Sequence, residues 1–75
     1  SATAPYNANY IRISNNSGEI ASYSLFNISG QEIAKGNALA YETAFIETFS
    51  LPSGLYFIAF YHKGDLIETE KVVIR

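Results

Sequence analysis

The sequence predicts an all-β fold, a small immunoglobulin-like antiparallel β-sandwich of six to seven strands. Its aromatic residues, 15% of the chain, are all Tyr or Phe, and with Ile, Val and Thr they favour a pleated, half-buried surface. Short alternating apolar segments are separated by turn residues about every 8–12 positions, as in sandwiches and small barrels. The 75 residues are enough for one domain, and a hydrophobic content of 48% is too high for a disordered tail.

The chain opens on a small, polar segment, residues 1–9, which contains Pro5. We expect a linker or a loosely held first segment there, with the folded domain over residues 10–75. The first strand is predicted at residues 10–14. A turn at residues 15–18 follows, because Asn and Gly tolerate the left-handed backbone of tight turns.

A hairpin is predicted near the middle of the chain. The second strand, residues 19–27, is expected to turn Tyr23 and Leu25 towards the core. Gly30 suits a positive φ in the connection, which pairs this strand with a third one at residues 31–35.

The next segments are less regular. Gly36 and Asn37 are predicted to end the third strand. Residues 38–43 are compatible with one helical turn or an irregular crossover, and we expect the loop. A fourth strand is predicted at residues 44–50, followed by a turn at residues 51–54 in which Pro fixes φ and Gly closes the turn.

The fifth strand, residues 55–62, is the most apolar segment and is apolar on both faces. In a two-sheet sandwich only one face of a strand meets the core. The sequence therefore predicts an exposed aromatic patch of Tyr56, Ile58 and Phe60, presented to solvent or to a partner. A last strand is predicted at residues 66–74.

Charge and composition exclude several function classes. The net charge is −2, and the five Lys and Arg residues form no cluster, so the basic footprint of a nucleic-acid-binding protein is missing. No apolar stretch approaches the length of a membrane span, and no signal segment opens the chain. With no Cys, the chain has no disulfides, thiol nucleophiles or Cys-based zinc sites.

The candidate chemical groups are isolated. His62 is the single histidine and has no partner Cys or second His, so we interpret it as an inert strand residue beside a turn. Glu68 and Glu70 share one strand face without the Asp-rich loop of a calcium site, which indicates a solvated strand edge. We predict no catalytic residue, no cofactor and no metal.

The chain ends on a β-branched run between two cations: Lys71, Val72, Val73, Ile74 and Arg75. One interpretation is an ordinary final strand with a solubilising charge at its tip. The other is a recognition element, because an extended terminal strand offers backbone groups for pairing and alternate side chains for specificity. The residues alone do not separate these two.

Four stretches together resemble the C-terminal sorting domain of the type IX secretion system, found in secreted proteins of Bacteroidetes such as the gingipain proteases. Residues 25–33 are similar to the family's hydrophobic-Asp-x-x-Gly-x-x-hydrophobic hairpin, and residues 51–58 to its Leu-x-x-Gly-x-Tyr stretch. Residues 71–75 are similar to its closing Lys-hydrophobic-hydrophobic-hydrophobic-Lys. Residues 10–13 are a weaker match to its first strand. The resemblance extends over residues 6–75.

The sequence departs from the family pattern at three places. Asn27 stands where the family usually has Asp, and Arg75 stands where it has Lys. The family's Tyr-Pro-Asn-Pro opening is replaced by other residues at positions 4–9, which leaves the domain start open. What the resemblance carries over is a structural role for Asn27, Gly30, Gly54 and Tyr56, and a recognition role for residues 71–75.

The resemblance implies a role in the export of a cargo protein. The domain would be part of a larger cargo protein in transit through the periplasm, and the outer-membrane translocon and its shuttle protein would recognise it. For many members a surface sortase then cuts before the domain, whereas some members keep it, and the sequence leaves both outcomes open. The destination would be the outer membrane, the cell surface or the medium. The alternative is an immunoglobulin-like structural or adhesive module that binds through the aromatic patch. Isolated edge strands also invite a weak homodimer.

Overall fold

The computed structural model describes residues 1–4 and 9–75, and it contains seven strands and no helix in that part of the chain. The all-β prediction is confirmed. The strands are β1 (Ala2–Thr3), β2 (Tyr10–Ser14), β3 (Ala21–Phe26), β4 (Glu32–Ala38), β5 (Thr43–Glu47), β6 (Gly54–His62) and β7 (Asp65–Ile74).

The strands form two antiparallel sheets. One has three strands in the order β1-β2-β5, and the other has four in the order β4-β3-β6-β7. β1 approaches β7 on one side of the molecule and β5 approaches β4 on the other. This arrangement is consistent with the predicted immunoglobulin-like sandwich, in which two inner faces share one core.

The core is made by the inward-facing side chains of both sheets. Ile11 and Ile13 on β2 face Leu25 on β3 and Ile58 on β6, and these four are the largest fully buried side chains. Burying an aliphatic side chain of this size contributes about 1.5–3 kcal/mol to the free energy of unfolding. The prediction that Leu25 faces the core is confirmed, and Tyr23 is buried beside it.

The predicted exposed patch on the fifth strand is wrong. Tyr56, Ile58 and Phe60 are only 6%, 0% and 5% exposed and lie in the core. The opposite face of β6 is the outer one, where Leu55 is exposed and Phe57 is half-buried. Because both faces of this strand are apolar, its alternation does not indicate which one turns inward.

The register of the four-stranded sheet explains the choice. Across the sheet, Ile58 lies opposite Leu25 and Phe60 lies opposite Tyr23. On the other side, Tyr56 lies opposite Val72 of β7. Residues paired across strands point to the same face, so the burial of the β3 side chains fixes the inner face of β6.

The third strand is longer than predicted. Gly30 has a φ of 82° and closes the expected hairpin, but Gly36 and Asn37 do not end the strand that follows. They lie within β4, which continues to Ala38. Gly36 is directly opposite Tyr23 in the pairing of β3 with β4, and a glycine inside a strand often marks such a close approach.

The loop expected at residues 38–43 is confirmed for its central part. Glu42 N–H donates to the Leu39 carbonyl at 3.1 Å, and Tyr41 has a φ of 57°, which closes a turn without a helix. Ala38 is the last residue of β4 rather than part of the loop. The following strand, β5, is shorter than predicted and ends at Glu47.

The first segment contributes a short strand. Ala2 pairs with Ile13 and Thr3 pairs with Arg12, so β1 extends the three-stranded sheet. The predicted boundary between a linker and the domain, at residues 9 and 10, stays a prediction. Part of the predicted linker, residues 5–8, lies outside the described residues.

Gly36→Ala is expected to lower the free energy of unfolding by about 1–3 kcal/mol. A Cβ at this position would lie 2.6 Å from the Tyr23 hydroxyl oxygen and 2.9 Å from the ring carbon that carries it. The ring is buried and cannot easily move away. Urea unfolding followed by circular dichroism measures the change.

Gly18→Ala is the matched control, because its Cβ would meet nothing closer than 3.4 Å. We expect it to change the free energy of unfolding by no more than about 1 kcal/mol. Combining Gly36→Ala with Tyr23→Phe should recover part of the loss. Equal stability of Gly36→Ala and the unchanged chain would contradict the close packing.

Candidate functional site

The C-terminal segment, residues 71–75, comprises the last four residues of β7 and Arg75 directly after it, and β7 is an edge strand of the four-stranded sheet. It pairs with the start of β6: Val72 lies opposite Tyr56, Val73 opposite Leu55 and Ile74 opposite Gly54. Among residues 1–4 and 9–75, β7 pairs within its sheet only with β6, on one side. Its other side is therefore the place where an additional strand could pair.

Side chains at the end of β7 alternate between the core and the surface. Val72 and Ile74 are buried in the core cluster, whereas Lys71, Val73 and Arg75 are exposed. The five residues predicted for recognition therefore separate into two sets. A partner that docks on the folded domain could contact the three outward side chains, and the two inward ones hold the strand in place.

A carboxylate on the inner side of β7 joins the two sheets. Glu70 lies opposite Ile58, and its Oε1 accepts a hydrogen bond from the Ala2 N–H at 3.1 Å. The contact connects β1 to the strand that carries the candidate site. Glu68, two residues earlier, is exposed as predicted for a solvated edge, whereas Glu70 is half-buried.

Asn27 organises the hairpin between β3 and β4. Its side-chain Oδ1 accepts hydrogen bonds from the Ser29 N–H at 2.9 Å and the Gln31 N–H at 3.0 Å. The Gly30 N–H donates to the Asn27 carbonyl at 3.0 Å. An Asp carboxylate could accept the same two side-chain bonds, which explains physically how Asn can stand where the resembled family has Asp.

Tyr56 ties β6 to the turn that precedes it. Its hydroxyl donates to the Pro52 carbonyl at 2.8 Å, while its ring is buried in the core. Gly54, at the start of β6, has a φ of 148°, a conformation that L side chains rarely adopt. The spacing of this Gly and Tyr therefore places a sharp turn directly beside the end of β7.

Three motifs that are distant in sequence meet at one end of the sandwich. The hairpin at residues 27–33 and the turn at residues 51–56 line a common cavity of about 280 Å³. The second of these stretches pairs in register with the closing residues of β7. Sequence reasoning found each motif, but the cross-strand register that brings them together is a property of the folded chain.

Other candidate groups do not assemble into a chemical site. His62 Nε2 lies 2.9 Å from Glu19 Oε2 near the hairpin between β6 and β7. Within residues 1–4 and 9–75, no three His, Asp or Glu side chains are grouped so that they could hold a metal ion. The same residues contain no helix long and apolar enough to cross a membrane.

Comparison with known families gives a match over nearly the whole chain. The model of the secretion system C-terminal sorting domain matches residues 5–75. The chain belongs to this family. The resemblance inferred from the four stretches is confirmed, and the domain is a type IX sorting signal, a non-catalytic class associated with export to the cell surface or secretion. Searches among curated proteins and solved structures found no match.

Tyr56→Phe is expected to lower the free energy of unfolding by about 0.5–1.5 kcal/mol, because it removes the hydrogen bond to Pro52 without creating a cavity. Tyr61→Phe is the matched control. Tyr61 is half-buried, and its hydroxyl makes no hydrogen bond within the described part of the chain. Thermal unfolding compares the stabilities of the two variants. An equal loss of stability would mean that the Tyr56 hydroxyl does not stabilise this turn.

Ile74→Ala is expected to cost about 2–5 kcal/mol, because it empties a buried position between the sheets. Val73→Ala, one residue earlier, should cost less than about 1 kcal/mol because its side chain points outward. Urea unfolding of both variants measures the difference. Similar losses would contradict the alternation of inward and outward side chains at the end of β7.

Proposed function

We propose that this domain directs a larger cargo protein through the type IX outer-membrane translocon, and that the exposed side of the β7 end is the feature recognised there. The translocon, its shuttle protein and, for anchored cargo, a surface sortase are the partners. The route is transit through the periplasm, then arrival at the outer membrane, the cell surface or the medium. The observation that supports this role is the convergence of the three family motifs at one end of the fold.

The chemistry of this end suits protein recognition. Lys71 lies opposite Phe57 and Val73 lies opposite Leu55 on the outer face, so a cation borders an apolar strip. The backbone along the side of β7 that faces away from β6 supplies hydrogen-bond donors and acceptors for an added strand. The outward side chains then supply specificity, and no catalytic group is needed.

The adhesive-module alternative loses its proposed binding residues. Tyr56 and Phe60 are buried and hold the core together, so they cannot contact a ligand on the surface. Truncating either residue to Ala would destabilise the core and would therefore not test binding by itself. Edge-to-edge pairing of two copies stays a prediction.

Export can be tested with a reporter fused before Ser1 and expressed in a type IX-competent bacterium. Deleting residues 72–75 should leave the reporter in the periplasm. That deletion also removes two core side chains, Val72 and Ile74, so a second variant is needed. The double substitution Lys71→Glu and Val73→Glu changes outward positions only and should abolish surface display while the domain stays folded.

Lys35→Glu is the matched control for this experiment. Lys35 is an exposed cation on the same sheet, at its opposite edge strand β4. We expect normal display of this variant, measured by surface proteolysis of intact cells. Display of both the deletion and the double variant would exclude the end of β7 as the recognised feature, and the size of the displayed reporter would show whether the domain is removed.

A further inference from the structure

Three aromatic side chains line one surface depression at the outer face of the three-stranded sheet. Tyr10, Phe45 and Phe49, which we call the aromatic corner, are 37%, 58% and 74% exposed. The Tyr10 and Phe45 rings are in contact, with centroids 5.3 Å apart and planes at 85°. Perpendicular planes leave a concave corner that is bounded by the faces of two rings.

The backbone forces these rings outward. Ile11 and Ile46 lie opposite each other and point into the core, so the neighbours Tyr10 and Phe45 must point away from it. Beyond β5, the Thr48 N–H donates to the Asn9 carbonyl at 2.9 Å, which fixes the chain directly before Phe49. The aromatic corner is therefore carried on hydrogen-bonded backbone and is not a product of a loose terminus.

A carboxylate lies within the same surface depression. Glu47 is opposite Tyr10 in the β2–β5 register, and with Asn9 it lines an open depression of about 540 Å³ together with the three rings. The Glu47 carboxylate is exposed and forms no ion pair with another residue that the structure describes. A negative charge thus stands beside the electron-rich faces of the rings.

The combination of aromatic rings and a carboxylate favours a ligand of positive charge. Aromatic faces carry a negative quadrupole and attract cations, as does a carboxylate. An anion would be repelled by both, and an apolar ligand would leave the carboxylate unused. We propose that the aromatic corner and Glu47 bind the ammonium group of a lysine side chain that a partner protein presents.

One charge opposes this binding. Arg12 lies opposite Phe45 on the same outer face and is exposed. Its guanidinium lowers the affinity for a second cation by electrostatic repulsion. The site therefore binds a single ammonium group only weakly. The proposal does not depend on the end of β7 and stands or falls separately from the sorting function.

The test uses the 75-residue chain and two probes of matched shape, Nα-acetyl-lysine methylamide and Nα-acetyl-norleucine methylamide. The norleucine probe keeps the aliphatic stem and lacks the ammonium group. In ¹H–¹⁵N NMR titrations at low salt, the lysine probe should shift the signals of Tyr10, Phe45 and Glu47 in a dose-dependent manner. The norleucine probe should shift them by no more than a few per cent as much, and equal shifts would overturn the proposal.

Three variants separate the contributions. Phe45→Leu keeps the apolar volume and removes the π system, and it should weaken binding of the lysine probe about 2- to 5-fold. Glu47→Gln should weaken it by a similar factor, and Arg12→Gln should tighten it. Ile28→Ala, an exposed position in the hairpin between β3 and β4, is the control. Unchanged binding in both Phe45→Leu and Glu47→Gln would overturn the assignment of the cation to this corner.

Discussion

The pairing of β6 with both of its neighbours is the constraint on which the rest of the structure depends. β3 supplies Leu25 on one side and β7 supplies Val72 on the other, and Ile58 of β6 joins both in the core that this sheet shares with the three-stranded sheet. A register shift of one residue would turn every core side chain of β6 to the solvent. The motifs beside the start of β6 are therefore located by the same pairing that builds the core.

This constraint gives the two faces of the β7 end different surroundings. The inward residues, Val72 and Ile74, belong to the core, whereas the outward residues, Lys71 and Val73, do not. A recognition sequence written on an extended strand can thus be specific in its composition without weakening the domain, provided that every second position stays apolar. Because of this alternation, deleting the end of β7 also removes core side chains, whereas substituting its outward residues leaves the core unchanged.

The sequence predicted the strands well wherever local chemistry was decisive. Alternation located Tyr10–Ser14 as a strand, and the Asn27 and Gly30 pattern located the hairpin. It could not orient β6, because both faces are apolar and only the partner strands distinguish them. The sequence also predicted too early an end of β4, at Gly36. This glycine makes room for Tyr23 across the sheet, but in the sequence alone it cannot be distinguished from a glycine in a turn. The convergence of the motifs depends on pairing between distant segments, which no local pattern contains.

The charged side chains on β7 limit unselective pairing of this edge strand with other chains. A long apolar edge strand invites pairing with other chains, and charged side chains on the strand, including inward-pointing ones, are a common protection. Here Glu68 and Glu70 lie on the inner side of the strand and Glu70 is held by the Ala2 N–H. Unselective pairing along the middle of β7 would bring these carboxylates close to a second chain. These charges therefore disfavour unselective pairing along the middle of the strand.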